Sequence, residues 1–275
     1  MRRLNDEKHA VVGVVVTVLL IGLAVSVTIM INTVYVPQWL EEEEVAHMED
    51  VSSQFAQLKY VMDVQAVLQQ RSAISASITM GIDNLPYLST GKTYGSISIE
   101  EQVCDIIIKN ETQSWNFSVG NIKFKSGNSY FVRQDYIYEA GALIVQQYPD
   151  SMLIGKPIFL ADYEKISFTI INTTTSIGKS FVSGHGTYPI HTEFIESTTY
   201  ANIDNITKIT VITDYPLAWY YAFESTLKQS TNPYSASMVN LTGVNKVEVD
   251  FSGTTNICDF KEVEILAQIA PGWIE

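Results

Sequence analysis

The sequence predicts a mainly β protein with a long N-terminal helix: a single transmembrane helix, a helical stem and an antiparallel β-sandwich-like external domain with one or two short helices. Three observations lead to this fold class. An apolar run occupies the first part of the chain, a stretch without Gly or Pro follows it, and short strand-like runs separated by turn residues fill the rest. We expect a leader at 1–9, a transmembrane helix at 10–36, a stem helix at 37–80 and the β domain at 89–275.

The transmembrane prediction depends on residues 9–40, which contain no Asp, Glu, Lys or Arg. Within them AVVGVVVTVLLIGLAVSVTIMI, Ala10 to Ile31, has only Thr17, Ser26 and Thr28 as polar side chains. A helix of about 20 residues crosses a hydrocarbon core of roughly 30 Å, so this section is long enough. A cleavable secretory signal is the competing interpretation. Its apolar core has only about 7–15 residues and ends in a small-residue cleavage site, which TVYVPQW does not offer.

The apolar run ends in NTVYVPQWLEEEE, which predicts a membrane–water boundary. Tyr35 and Trp39 are amphipathic rings suited to the headgroup level, and Pro37 lies where a helix can bend as it leaves the bilayer. Glu41–Glu44 follow in the aqueous phase. We interpret them as a solvated first turn rather than a calcium site, because four adjacent glutamates on a helix point in four directions.

Charge predicts orientation and excludes one class of partner. The chain has a net charge of −13, the first nine residues carry +1, and the residues after 40 therefore carry −14. Basic residues before the helix place the N-terminus in the cytoplasm and the later residues outside, in the cell membrane as a single-pass protein. A surface this acidic repels phosphate backbones, so we expect membrane lipid as a partner and no nucleic acid.

The stem prediction comes from a regular apolar stripe in residues 41–80. The stripe begins at Val45 and continues at spacings of three and four through Met48, Val51, Phe55, Leu58 and Met62. Ile74 and Ile78 extend it at a spacing of four. The helix is expected to end at GIDNLP, Gly81 to Pro86. The stripe, residues 45–78, covers either the chain's own β domain or other copies of the chain, and the sequence leaves both alternatives open.

After Ser89 the residue pattern is typical of β-strands. The runs are YGSISIE, VCDIIIK, WNFSVG, NIKFK, ALIVQQY, KISFTII, KITVIT, KVEVDF and EVEILAQI. They predict one antiparallel β-sandwich. A helix interrupts them at TDYPLAWYYAFESTLKQS, with Asp214 as N-cap, Pro216 in the first turn, and an apolar face of Leu217, Tyr220, Tyr221 and Leu227.

The sequons support the prediction of an external domain, and the two cysteines raise a separate question. Asn-x-Ser/Thr sequons, candidate glycosylation sites, occur at Asn110, Asn116, Asn172, Asn205 and Asn240, all beyond the apolar run. Cys104 and Cys258 are the two cysteines. Outside a cell they can form a disulfide that closes a long loop and contributes about 2–4 kcal/mol, or they can remain two buried thiols. Both alternatives stay open.

The sequence contains no motif of catalysis or cofactor binding. A Gly-rich phosphate loop, His-Glu-x-x-His, Cys-x-x-Cys and a nucleophile elbow are all absent. The paired histidines His185 and His191, with Glu193, are spaced by six residues and lack an indicated third ligand or nucleophile. We therefore predict no catalytic, cofactor-binding or metal-binding residues, no cofactor, and a protein that is not an enzyme.

Three stretches resemble archaeal type IV pilins and pilin-like surface proteins: EKHAVVGVVVTVLLIGLAV, the stem TVYVPQWLEEEEVAHMEDVSSQFAQLKYVMD, and, together, QDYIYEAGALIVQQ and ITVITDYPLAWYYAFESTL. In pilin families a prepilin peptidase removes a charged leader, and the bare apolar helices bundle into a filament core. The resemblance implies cleavage close to His9–Ala10 and self-association through residues 10–36. It implies a non-enzymatic, pilin-like cell-surface protein for adhesion or surface-structure assembly. The alternative is a permanently anchored ectodomain that binds a carbohydrate, peptide or envelope component without polymerising, and a membrane-tethered enzyme using His185 and His191 ranks third.

Overall fold

The N-terminal part of the chain is one continuous helical segment. The computed structural model describes residues 2–82, 93–161, 165–228, 239–241, 245–251 and 256–269. The segment consists of α1 (Arg2–Met30), a π-helical turn (Ile31–Tyr35) and α2 (Val36–Leu68).

The π-helical turn lies where Pro37 disturbs the helix. Proline lacks an N–H, and its ring collides with the carbonyl four residues earlier, here that of Thr33. The N–H of Val36 donates to Ile31 O, five residues back, so the turn widens just before the proline. The helix therefore continues through Pro37 into α2.

The apolar stripe of α2 is buried against the chain's own strands. Met48, Val51, Phe55, Leu58 and Met62 have at most 2% of their surface exposed. Aromatic contacts hold the middle of the stripe, since the Phe55 ring lies 5.7 Å from Tyr136 and 6.3 Å from Phe124. Of the two alternatives for the stripe, packing on the chain's own β domain is the one observed.

The predicted C-terminal end of the stem is wrong. Helix α2 ends at Leu68, and Gln69 adopts a left-handed conformation with φ 53° that stops it. Ile74 and Ile78, which the stripe included, lie on a strand. Their spacing of four fits a helix, but with Ala76 between them it also fits the period of two of a strand, and Ala76 and Ile78 are the buried pair. Of the expected stop at Gly81 to Pro86, residues 83–86 lie outside the described residues.

The described strands follow α2, with one helix between the eleventh and twelfth. They are β1 (Ile74–Thr79), β2 (Gly95–Asn110), β3 (Ser114–Lys125), β4 (Asp135–Glu139), β5 (Ala142–Gln147), β6 (Asp150–Gly155), β7 (Phe159–Ala161), β8 (Lys165–Thr175), β9 (Phe181–Gly184), β10 (Thr187–Asp204), β11 (Ile206–Ile212), β12 (Val239–Leu241), β13 (Lys246–Asp250) and β14 (Ile257–Ile269); the helix is α3 (Pro216–Leu227).

These strands form two sheets in the described part of the chain. The smaller sheet has the order β1-β10-β14-β8-β7. The larger has the order β12-β13-β11-β2-β3-β4-β5-β6, with β9 also paired to β2. The described pairs are antiparallel except β8 with β14, which run parallel, Ile257 opposite Lys165 through Ala267 opposite Thr175. The predicted fold class, mainly β with a long N-terminal apolar helix and a sandwich-like domain, is confirmed.

Two hydrophobic clusters fill the domain, and each has a helix on it. One joins the α2 stripe to Ile97 and Phe124 of the larger sheet and to Ile190 and Ile265 of the smaller. The other joins α3 to Ile106 and Ile144 of the larger sheet and Phe168 of the smaller. Helix α2 is therefore part of the core of the β domain and not a separate stalk.

Helix α3 was predicted in the right place but with the wrong face. Its N-cap residue is Tyr215 rather than Asp214, and no side chain caps it. Its buried residues are Ala218, Trp219, Ala222, Phe223 and Leu227. Of the predicted face only Leu227 is buried, because Leu217 and Tyr220 are half-buried and Tyr221 is exposed.

Candidate functional site

The apolar part of α1 lies outside the fold. The large apolar side chains from Val12 to Met30 have 48–67% of their surface exposed. The hydroxyls of Thr17, Ser26 and Thr28 donate to the carbonyls of Gly13, Gly22 and Ala24, at 2.8–2.9 Å. Since these hydroxyls are bonded within the helix, residues 12–30 of α1 present an apolar surface on all sides. In water such a surface is unfavourable, so lipid or protein has to cover it.

The boundary residues lie where this apolar surface meets the β domain. The Tyr35 and Trp39 rings are 6.2 Å apart and more than 40% exposed. One residue after Trp39, Leu40 is buried. The β domain therefore begins to cover the helix within two turns of Tyr35.

Glu44 fastens the start of α2 to the loop between β3 and β4. Its carboxylate accepts hydrogen bonds from the backbone N–H groups of Ser129, Tyr130 and Phe131, the shortest to each at 2.9, 2.8 and 2.7 Å. The side chain is 1% exposed. Three donors converging on one buried carboxylate make a strong, directional contact between helix and loop.

Further along, polar side chains of α2 contact the β4–β5 turn and β10. Lys59 Nζ donates to Asp63 Oδ2 and to Gly141 O, each at 2.7 Å. Burial raises the pKa of the Asp63 carboxyl, and the Lys59 ammonium opposes this change. Gln65 Nε2 donates to Thr192 O at 2.9 Å.

The C-terminal end of α2 is held by a cation. Lys261 Nζ donates to Ala66 O at 3.2 Å, one of the last carbonyls of the helix. A cation at this end complements the helix dipole. Helix α2 is thus bonded to the β domain from Glu44 to Ala66, and α1 extends from a fixed base.

A second buried carboxylate, Glu139, stabilises the base of α3. It accepts hydrogen bonds from Thr213 Oγ1 at 2.6 Å and Trp219 Nε1 at 2.9 Å. Burial raises the pKa of Glu139, and these donors oppose the change. The Cys104 thiol is also a partner, and burial together with the Glu139 charge raises the pKa of that thiol well above its ordinary value. The group joins β2, β4 and α3 and has the features of a structural network.

The two cysteines are free and buried. Cys104 lies on β2 of the larger sheet and Cys258 on β14 of the smaller. Burial raises the pKa of Cys258 to about 12. Of the two alternatives for this pair, the structure has the buried thiols and not the disulfide.

The histidines lie on different elements. His185 is in the turn between β9 and β10, with its ring 5.8 Å from Tyr94. His191 lies on β10 with Nδ1 2.7 Å from Ser75 Oγ, and Glu193 follows on the same strand. Among the residues with described positions, no three His, Cys, Asp or Glu side chains are grouped as metal ligands.

The sequons differ in how accessible their asparagines are. Asn116 on β3 and Asn205 between β10 and β11 are exposed, and Asn110 is half-buried at the end of β2. Asn172 lies on β8, where its Oδ1 accepts from Gly120 N–H at 3.2 Å, so a glycan there would have to displace this contact. Asn240 is on β12, and its side chain lies outside the described set, as do the side chains of His9 and Ala10 in α1.

Fold and exposed helix together define a class: a β-rich protein with one described helix, within Val12–Leu68, that is long and apolar enough to cross a membrane. The arrangement is compatible with a membrane anchor. DUF7289, a family of unknown function, matches residues 9–259, and the chain belongs to this family. No curated protein and no solved structure matches the chain.

The prediction of a solvated turn is wrong for Glu44, which is 1% exposed. Glu44 and Gln65 are anchoring residues that the sequence did not predict. Glu44 lies four residues before Met48 and Gln65 three after Met62, so both continue the spacing of the stripe. A polar residue in phase with an apolar stripe is a signal of a buried, hydrogen-bonded side chain. Glu139 is the last residue of β4, which was not among the predicted strand runs, and it gave no comparable signal.

Proposed function

We propose that the protein is a non-enzymatic, pilin-like cell-surface protein that is anchored by α1 and displays its β domain for adhesion or the assembly of a surface structure. The observation that carries this proposal is the division of one helical segment into two parts. The first part exposes apolar side chains on all sides, and the second part is bonded into the β domain. A segment built in this way connects α1, which is covered by lipid or by other helices, to the folded β domain.

The rigid connection supports assembly through the helix. Glu44 and Lys59 fasten α2 to the loops at either end of β4, so an orientation adopted by α1 is passed to the β domain. Self-association is proposed for residues 10–36, whose described side chains are exposed except for the half-buried Ile31 and Val36. It is no longer proposed for the 45–78 stripe, whose α2 side chains from Met48 to Met62 are buried in the same chain. Lipid covers α1 wherever a second helix does not.

The proposed orientation places the N-terminus in the cytoplasm and the β domain outside. Its support is the basic leader, the acidic remainder and the exposed sequon asparagines Asn116 and Asn205. On the pilin-like route, a prepilin peptidase cleaves close to His9–Ala10, and the freed helices bundle.

A cysteine scan of α1 tests self-association. The native thiols are buried, and the raised pKa of Cys104 and of Cys258 keeps them protonated, so single cysteines can be introduced without removing them. Each position from Val18 to Ile21 is changed to Cys in turn in the full chain in native membranes, and copper phenanthroline is added. We expect disulfide-linked dimers at one or two of the four positions, since a helix interface repeats every three to four residues.

Gln57→Cys, on the exposed face of α2, is the matched control and should remain monomeric. Absence of dimers at all four α1 positions would contradict self-association. Intact mass of the native protein reports processing separately, as a loss of about nine residues or as retention of Met1.

The second candidate is the permanently anchored ectodomain that binds an envelope component. It is favoured by Val14, which occupies the fifth position after the implied cleavage point, where many prepilins carry Glu. Retained Met1 together with monomeric α1 variants is the result expected of this candidate.

A further inference from the structure

An open depression lies at one end of the larger sheet, between the β3–β4 loop and the β5–β6 turn. Its volume is about 430 Å³, within the range of about 300–1,000 Å³ typical of small-molecule sites. Asp135 and Gln146 are directly opposite each other on β4 and β5. The described lining residues are Val132, Arg133, Asp135, Gln146 and Tyr148.

The depression is at the end of the domain that faces α1. Glu44, near the start of α2, holds the backbone of 129–131, next to the lining residues of the β3–β4 loop. Lys59 holds Gly141, at the opposite end of β4 and β5. Fifteen residues of helix separate Glu44 from Lys59, about 22 Å at 1.5 Å per residue. The lining loops therefore lie beside the N-terminal end of α2, near Tyr35 and Trp39, the residues predicted to lie at the membrane boundary.

The charge in the depression is balanced. Arg133 Nε lies 3.7 Å from Asp135 Oδ1, and Gln146 is neutral. The nearby start of α2 exposes Glu41–Glu43, and the whole chain carries −13. An anionic ligand would enter against this field, and a divalent cation would meet a single carboxylate already facing an arginine, so the chemistry favours a neutral, polar ligand.

The side chains suit a ligand with many hydroxyl groups. Gln146 offers an amide donor and acceptor, and Arg133 offers guanidinium donors. Asp135 accepts one hydrogen bond from Ser126 N–H, at 3.3 Å. Because a carboxylate has about four acceptor positions, Asp135 can also accept from a ligand. Tyr148 is 91% exposed at the rim. An uncovered aromatic ring beside planar hydrogen-bonding groups matches the two sides of a pyranose, whose C–H face is apolar and whose edge is polar.

We propose that this depression binds a neutral saccharide unit. Tyr148 packs on the C–H face of the sugar, and Asp135 and Gln146 hydrogen-bond its hydroxyls. The same chemistry is found in the headgroup of a neutral glycolipid and in a free or polymeric glycan of the envelope. The inference deepens the proposed surface function. It rests on the proposed anchoring only for a glycolipid headgroup, which reaches the site only if the protein is in a membrane. A soluble sugar reaches the site in any setting.

Glu44 acts as a positioning residue for this site. By holding three consecutive backbone N–H groups it orders the loop that continues into Val132 and Arg133. A loop ordered before the ligand arrives lowers the entropy cost of binding.

The test uses the full chain in phosphatidylcholine nanodiscs. In one arm, uncharged disaccharides of glucose, galactose and mannose are titrated, and binding is followed by calorimetry and by the hydrogen exchange of residues 126–135 and 146–151. In the other arm, the nanodiscs contain either a diglycosyl diacylglycerol or phosphatidylglycerol, and the same exchange is followed. Slower exchange with a disaccharide identifies a free glycan as the source, and slower exchange with the glycolipid alone identifies a headgroup.

Variants connect the response to the site. Tyr148→Ala should weaken saccharide binding about tenfold or more, as expected for loss of a central aromatic contact. Gln146→Ala should weaken it severalfold. Tyr60→Ala is the matched control, because Tyr60 is an exposed tyrosine on α2 next to Lys59, at the opposite end of the sheet. The Tyr60→Ala protein should bind the saccharide as tightly as the wild type does.

Three results would overturn the proposal: no response to any saccharide or glycolipid, a response that Tyr148→Ala leaves unchanged, or a response to phosphatidylglycerol alone that depends on Arg133. The last result would indicate an anionic headgroup site. None of them changes the cysteine scan of α1 or the intact mass, so a failure here is distinguishable from a failure of the proposed function.

Discussion

At the scale of the residue, buried polar groups on α2 determine how the helix is held. His47 is buried, its Nε2 lies 3.0 Å from Thr79 O, and the carbonyl makes Nε2 the donor. Burial lowers the pKa of His47 below 6.5, while the Thr79 carbonyl and the charges of Asp50 and Glu44 act in the opposite direction and are weaker. The folded protein therefore keeps this ring neutral in a pH range where the unfolded chain protonates it.

This difference predicts an acid-dependent loss of stability. Because the unfolded chain binds the extra proton, the free energy of unfolding should fall as the pH drops through 6.5 and stop falling below the depressed folded pKa. His47→Gln keeps an N–H donor for Thr79 O and removes the titration. Urea unfolding of the full chain in detergent at pH 7.5 and 5.5 should show a smaller acid loss in the variant than in the wild type.

Asp63 and Glu139 have raised pKa values, so their contribution to the free energy of unfolding changes with pH in the direction opposite to that of His47. This contribution is the same in the wild type and in His47→Gln. The comparison between variant and wild type removes it. Equal acid losses in the two proteins would show that His47 is not the responsible group.

At the scale of the element, the contact between α2 and the β3–β4 loop is the one that orders the start of the domain. Glu44 and Glu43 are neighbours in a run of four glutamates, yet Glu44 is buried against three N–H groups and Glu43 is exposed. The pair therefore provides a variant and its matched control.

Glu44→Gln should loosen the loop without unfolding the helix. The change removes the charge from hydrogen bonds that are each worth about 1.5–3 kcal/mol and turns an amide N–H₂ towards backbone donors. Amide hydrogen exchange at 129–131 should accelerate about tenfold or more, the equivalent of about 1.4 kcal/mol of local stability. Glu43→Gln should exchange as the wild type does, and an equal effect of the two substitutions would contradict the assignment of the contact to Glu44.

The elements also show how far the sequence predicts this fold. The α2 stripe and most β-branched runs were recognisable because their periods of 3.6 and 2 reflect burial directly. Strand β10 was missed because its sequence is rich in Thr, Ser and Glu, and long-range pairing with β1 and β14 stabilises it. Strand β2 was read as two runs, since the bulge between Glu100 and Cys104 and the positive φ of Gln102 interrupt its alternation.

The depression was not predictable in the same way. Arg133, Gln146 and Tyr148 are brought together by the β4–β5 hairpin, in which Asp135 lies opposite Gln146, and β4 was not among the predicted strand runs. The sequence contains 15 tyrosines, but composition does not tell which of them are buried, as Tyr138 is, and which are exposed, as Tyr148 is.

At the scale of the whole molecule, the proposed function depends on the apolar surface of α1. A helix with an apolar surface on all sides projects from a β domain that holds the next part of the same helix along its length. Water is an unfavourable surrounding for such a surface, and lipid or other helices are favourable ones.

The measurement that tests this account most directly is labelling of intact native cells with a membrane-impermeant, lysine-reactive reagent, followed by mass spectrometry of the protein in the membrane fraction. Lys125 and Lys156 are exposed on the β domain, and a cytosolic protein serves as the control for cell integrity. The account predicts that both lysines are labelled before lysis and that the protein stays with the membrane. Labelling of these lysines only after lysis, or recovery of the full-length chain in the soluble fraction, would contradict it.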